Sequence, residues 1–200
     1  MTATVSTAGT ILRRPPRAAA RLVAAGTVTA AAFATGAILE LTNLHWHANQ
    51  VQTLAQRITM IAFIVGLLAS VPLLAALGRS TGRIGLWAAR AAIGAQLTIA
   101  ALTTQSVIQG HDAAFFNPVA ALANAVWLMA VITLAVSLLR SHTVPRPLAI
   151  GVVVAYACTI PLAQAGGGLL AAGYWLAVAV YMARAASTQP DADDVSQPTA

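Results

Sequence analysis

From Arg21 to Arg184 the chain is a succession of long apolar runs that contain no lysine and only two carboxylates, Glu40 and Asp112. That pattern decides the fold class before any propensity is consulted. A soluble domain carries about 25% charged residues because its surface faces water. Here the figure is 8%, with 58% hydrophobic, too few charges to coat a globule. The chain therefore reads as an integral membrane protein. The formal charge of +6 comes from eleven arginines, which lie in short loops and at the ends of apolar runs. Such spacing matches the basic bias of cytoplasmic loops and excludes a nucleic-acid surface as the reason for it.

A crossing helix needs about 20 apolar residues. Leu22 to Leu39 supplies 18 uncharged residues and Ile58 to Gly78 supplies 21. A third span is expected over about 84–109, with Arg90 close enough to its start to snorkel outward, and a fourth over about 118–139. The 37 uncharged residues from Pro147 to Ala183 would make one helix of roughly 55 Å, too long for one crossing. Pro161, Gln164 and Gly166-Gly167-Gly168 divide it into spans over about 147–163 and 168–185. The expectation is an all-α, polytopic membrane helical bundle of about six transmembrane helices. With both termini cytoplasmic, every basic cluster falls on one face and only Arg57 lies outside. Residues 1–17 read as a cytoplasmic tail, 18–186 as the six-helix transmembrane domain, and 187–200, rich in Asp and Pro, as a disordered tail. No signal-peptide cleavage pattern is expected. The long bundle belongs in the plasma membrane of a bacterium, an origin suggested by arginine-only basicity and heavy alanine.

That topology puts most polar chemistry on the outer side. The first outer loop carries Glu40, His45, Trp46, His47 and Arg57; the second carries Gln105, His111, Asp112, Phe115 and Phe116. Gln96, Thr98, Thr103 and Thr104 continue the polarity down span three, which predicts an outward-opening cavity, since hydroxyls and amides facing lipid would lose water without replacement. Ionisable groups at membrane depth are costly and tend to mark function. Each residue also has a plainer reading. Glu40 at a helix end can sit among headgroups or pair with Arg57, and Asp112 beside Asn117 and Pro118 can form a turn. Trp46, Trp127 and Trp175 can serve as interfacial anchors. His45 and His47 diverge if helical, and neither cysteine nor a His-Glu-x-x-His pattern lies near, so no metal centre and no cofactor are expected. Cys158 has no partner for a disulfide.

Two carboxylic acids and several aromatic side chains in a water-poor pocket suit proton-initiated cyclisation of a prenyl chain. A desolvated carboxyl stays protonated and can act as a general acid, and aromatic faces stabilise developing cations. In its size, span content and isolated acids Glu40 and Asp112, the chain resembles the integral-membrane terpene cyclases of indole-sesquiterpenoid and meroterpenoid pathways, with six spans where the fungal members have seven. The resemblance implies a proton-donor role for Glu40 or Asp112 and a lipophilic prenylated substrate that arrives through the bilayer. His45, Trp46, His47, Arg57, Gln105, His111, Phe115, Phe116 and Trp127 are the candidate substrate-binding residues. Two other classes fit the same spans: a substrate-binding subunit of a vitamin-type transporter, and an accessory or immunity protein without chemistry.

Overall fold

A computed structural model describes residues 17–42 and 53–188, and among them every regular element is helical. Six α-helices follow one another: α1 Arg17–Thr42, α2 Leu54–Arg79, α3 Arg83–Gln109, α4 Phe116–Ser141, α5 Arg146–Thr159 and α6 Gly167–Thr188. Each packs on its neighbours in chain order, and α1 packs on α6, so the helices form a closed ring. Facing residues show that neighbours run antiparallel. Gly36 meets Thr59, Ser70 meets Gln96, Gly85 meets Ser137 and Gly151 meets Tyr174. Gly26 lies against Ala179, whereas Gly168 lies against Ala37. The two ends of the helical region therefore lie at one end of the bundle. That end also holds the α2–α3 and α4–α5 connections and most of the described arginines, while Arg57 sits at the other.

The helix boundaries have local causes. Thr53 caps α2 reciprocally: its hydroxyl accepts from the Gln56 N–H at 3.1 Å, and its own N–H donates to the Gln56 side chain at 2.9 Å. This capping box satisfies two donors that the first turn cannot pair internally. Gly110 ends α3 with φ 77°, its N–H on the Ser106 carbonyl, a conformation that glycine adopts without a Cβ clash. Many hydroxyls inside the helices donate one turn back, as in Thr29 to Ala25 at 2.7 Å and Thr103 to Ile99 at 2.9 Å, which satisfies them without a partner helix.

Five helices are long and apolar enough to cross a membrane; α5 is a shorter apolar helix of 14 residues, or about 21 Å. The fifth expected span, 147–163, thus stops four residues early. Pro161 has no N–H for the helical ladder, and the chain turns through a 3₁₀ segment, Ala163–Ala165, into Gly166 at φ 79°. Leu162 donates to Ala157 at 3.1 Å and Gly167 donates to Leu162 at 2.9 Å, so the break keeps its backbone paired. The helical region also runs slightly beyond 18–186, from Arg17 to Thr188.

Leucines 67, 73, 74, 77, 134 and 138 fill the core together with many alanines. Trp127 and Trp175 belong to it as well, at 3% and 4% exposure. That corrects the interfacial-anchor reading of both: tryptophan favours membrane interfaces, but the helix face these two occupy turns them inward. Trp87 is the exposed one, at 60%, with the Arg90 guanidinium 4.9 Å from its ring centre.

Candidate functional site

Glu40 lies two residues before Thr42, the last residue of α1, above Ala37 and Gly36, one turn back on the same helix face. These small residues leave a void of about 30 Å³ beneath the carboxyl, room for one or two waters. Phe33 and Phe63 wall it, their ring centres 6.4 Å apart and their planes tilted by 59°. Thr59 of α2 closes one side, and Thr159, Ala163 and Gly168 from the α5–α6 junction close the other. Both threonine hydroxyls donate to their own helices, Thr59 to Ala55 at 3.0 Å and Thr159 to Ala155 at 2.6 Å. They therefore offer the void only acceptor lone pairs. Among the described residues, no hydrogen bond or ion pair engages the half-buried Glu40 carboxyl. The expected Arg57 partner is exposed and forms no ion pair with it.

A second, smaller void of about 10 Å³ lies deeper in the ring. It shares Phe33 and Thr159 with the first, so the Phe33 ring stands between the two. Gln96, at 1% exposure, looks into it, as do Trp127, Tyr156 and Trp175. The Gln96 amide donates to the Ser70 hydroxyl at 3.3 Å, and that hydroxyl donates to the Leu67 carbonyl at 2.8 Å. Tyr156 packs edge-on against Trp127 at 5.1 Å and donates to the Asn124 carbonyl at 3.1 Å.

Asp112 has different surroundings. It sits in the turn between α3 and α4, where the Ser106 hydroxyl donates to its carboxylate at 2.6 Å. Beside it His111 is exposed, its Nδ1 3.2 Å from the Asp112 carbonyl. Gln105 and Phe116 are half-buried near the same turn, and Phe115 is exposed. The void at Glu40 takes no residue from this turn. Of the candidate residues, then, the structure groups Gln105, His111, Asp112, Phe115 and Phe116 at one turn, sets Glu40 in a separate void, and places Trp127 in the core. His45, Trp46 and His47 lie outside the described residues.

The polar side of α3 does not form one lining. Gln96 and Thr103 are buried, whereas Thr98 and Thr104 are exposed and donate to Gly94 and Ala100 of their own helix. Residues 96 and 103 share a face because they are seven apart; 98 and 104 point elsewhere.

Sequence reasoning missed Phe33, Phe63, Thr59 and Thr159. Phe33 was reachable, since it lies seven residues before Glu40 and so on its face. Thr159 is more than a hundred residues away, and no periodicity connects it to α1. Comparison with protein-family models, with curated proteins and with solved structures finds no match for this chain.

Proposed function

We propose that this helical membrane bundle is an enzyme of the bacterial plasma membrane that performs proton-initiated cyclisation of a prenylated substrate such as a farnesylated indole. Glu40 is the acid in this reading. The observation that carries it is the carboxyl without a partner among the described residues, over a void walled by Phe33 and Phe63. A carboxylate retained in such a place has no structural duty there, and an acid beside aromatic rings is suited to making and sheltering a cation. In the proposed step the Glu40 carboxyl gives its proton to the terminal alkene carbon. The ring closes onto the next π bond, and a proton leaves the resulting cation to restore the acid. The net change is an isomerisation and needs no co-reactant. The terminal double bond has to meet the carboxyl with the next π bond beside it, so the void of about 30 Å³ widens on binding; the rest of the chain stays in the bilayer. A lipophilic ligand also suits the bundle better than a water-soluble vitamin, because the roomier grooves, about 560–640 Å³, are apolar and lie along its flanks.

Membranes expressing the protein, supplied with a farnesylated indole, give a direct test through product mass and retention time. Glu40→Gln keeps the shape of the side chain and removes the transferable proton. Turnover falls by about 10²-fold or more while the protein still inserts. Unchanged turnover in Glu40→Gln removes Glu40 as the acid, and no conversion of any prenylated substrate by the wild type removes the cyclase reading.

A further inference from the structure

The seam between α3 and α4 carries a feature that the Glu40 site does not use. At the arginine-rich end, a groove of about 640 Å³ opens between the start of α3 and the end of α4. Arg83 lines it from α3, and Arg140 with Ser137 lines it from α4, above an apolar floor that includes Ile84 and Val136. A second groove of about 640 Å³ shares Ile84 and Thr133 with the first and extends it past Trp87 and Met129. The two make one trough, polar at its mouth and apolar along its length. The guanidinium groups of Arg83 and Arg140 have no hydrogen bond or ion pair among the described residues. The described residues contain two acids, Glu40 and Asp112, and both lie at the opposite end of the bundle. Two guanidinium groups thus stand at the arginine-rich end with no described carboxylate near them, over an apolar trough. Trp87, exposed and stacked by Arg90, stands beside the trough as an interfacial residue does.

We infer that the α3–α4 seam binds an anionic membrane phospholipid, its phosphate held by Arg83 and Arg140 and one acyl chain laid along the trough past Trp87. Guanidinium matches phosphate oxygens in charge and in donor geometry, and basic pockets between membrane helices take anionic headgroups by the same attraction. The zwitterionic lipid of equal chain length offers the same tail without the net charge, so the preference between the two isolates the arginines.

The protein purified in neutral detergent is titrated with phosphatidylglycerol or phosphatidylcholine of matched chains, and retained lipid is read by native mass spectrometry beside the unfolding midpoint. Phosphatidylglycerol is retained about tenfold better and raises the midpoint. Arg83→Gln with Arg140→Gln removes that preference, whereas Arg57→Gln at the opposite end keeps it. Ala91→Trp, which fills the trough away from the arginines, also lowers retention. Equal retention of the two lipids overturns the proposal, as does a midpoint shift reproduced by inorganic phosphate alone. Binding of phosphatidylglycerol that appears only after Asp191→Asn, Asp193→Asn and Asp194→Asn assigns the arginines to the chain's own acidic tail and overturns it too. A preference for polyprenyl phosphate over phosphatidylglycerol would also overturn it. None of these outcomes depends on catalysis, so the lipid site stands or falls separately from the cyclase reading.

Discussion

The α1–α6 seam and the α3–α4 seam are built from similar apolar helices, and each carries an apolar groove at the arginine-rich end, yet their opposite ends differ. At α1–α6 two helices come together on glycine: Gly26 lies under Trp175 and Ala179, and a Cβ added to Gly168 would stand 2.9 Å from the Phe33 carbonyl and 3.0 Å from the Ala37 Cβ. The void that α1 shares with the α5–α6 junction among the described residues near Glu40 is small, and the carboxyl lines it. At α3–α4 the helices touch at Gly85 and Ser137 and stay packed, and the long trough runs along the outside of the seam. The carboxylate at the outer end of that seam, Asp112, is tied to Ser106. The glycine-lined seam thus leaves its half-buried acid over a void without a described partner, whereas the acid at the end of the α3–α4 seam serves the turn. In a bilayer, where burying apolar side chains drives helices together much less than it does in water, such small-residue contacts decide where helices meet.

The largest expected effect tests the seam itself. Gly26→Val drives a branched side chain into the Ala179 side chain and the Trp175 backbone, neither of which can give way by rotating. The cost exceeds about 3 kcal/mol, and the closed ring fails to form stably. Gly94 on α3 is the control, because a Cβ there meets nothing within 4 Å. Gly94→Ala stabilises by up to about 1 kcal/mol through helix propensity. Unfolding in detergent micelles, followed by helical circular dichroism, measures both. Equal effects would end the contrast between packed and open helix faces.

The two carboxylates give the next comparison. Asp112→Ala removes the carboxylate that accepts from the Ser106 hydroxyl, leaves that hydroxyl its longer 3.3 Å bond to the Leu102 carbonyl, and loosens the α3–α4 turn, at a cost of about 1–2 kcal/mol. Glu40→Leu removes an acid with no described partner and fills apolar space, so stability is unchanged or rises by up to about 2 kcal/mol. The same variant has no activity in the prenylated-substrate assay. A Glu40→Leu protein less stable than Asp112→Ala would show that Glu40 holds the structure together, and its proposed catalytic duty would lose its motive.

Much of the architecture was legible in the sequence, because charge-free length and arginine placement are one-dimensional signals. The break at Pro161 to Gly168 was legible for the same reason. The length of α5 was not, since the proline ends the helix before the apolar run ends. Which way Trp127 and Trp175 face was not legible either: hydrophobic periodicity is weak in helices that are apolar all round, so only the ring of neighbours decides. For the site, the Gly36, Ala37 and Phe33 wall follows from helical spacing below Glu40. The wall from Thr59, Thr159 and Gly168 needs the ring closure, which no local pattern encodes.

The smallest expected effect concerns Ser70 and Gln96, which lie deep in the ring between the two seams. The larger residue should matter less. Gln96→Leu removes a buried amide, and the Ser70 hydroxyl that it leaves still donates to Leu67 at 2.8 Å, so nothing is stranded and stability changes little. Ser70→Ala removes the acceptor on which the Gln96 Nε2 relies at 3.3 Å and leaves an amide in the core, at about 1 kcal/mol. The double variant recovers most of that loss, giving a coupling of about 0.6 kcal/mol, the scale found for hydrogen bonds between membrane helices. A thermal double-mutant cycle in one detergent measures all three. If Gln96→Leu proves the costlier change, the amide has another partner. The void of about 10 Å³ beside it, with Trp127 and Tyr156 on its wall, is where that occupant would sit, separated from Glu40 by the Phe33 ring.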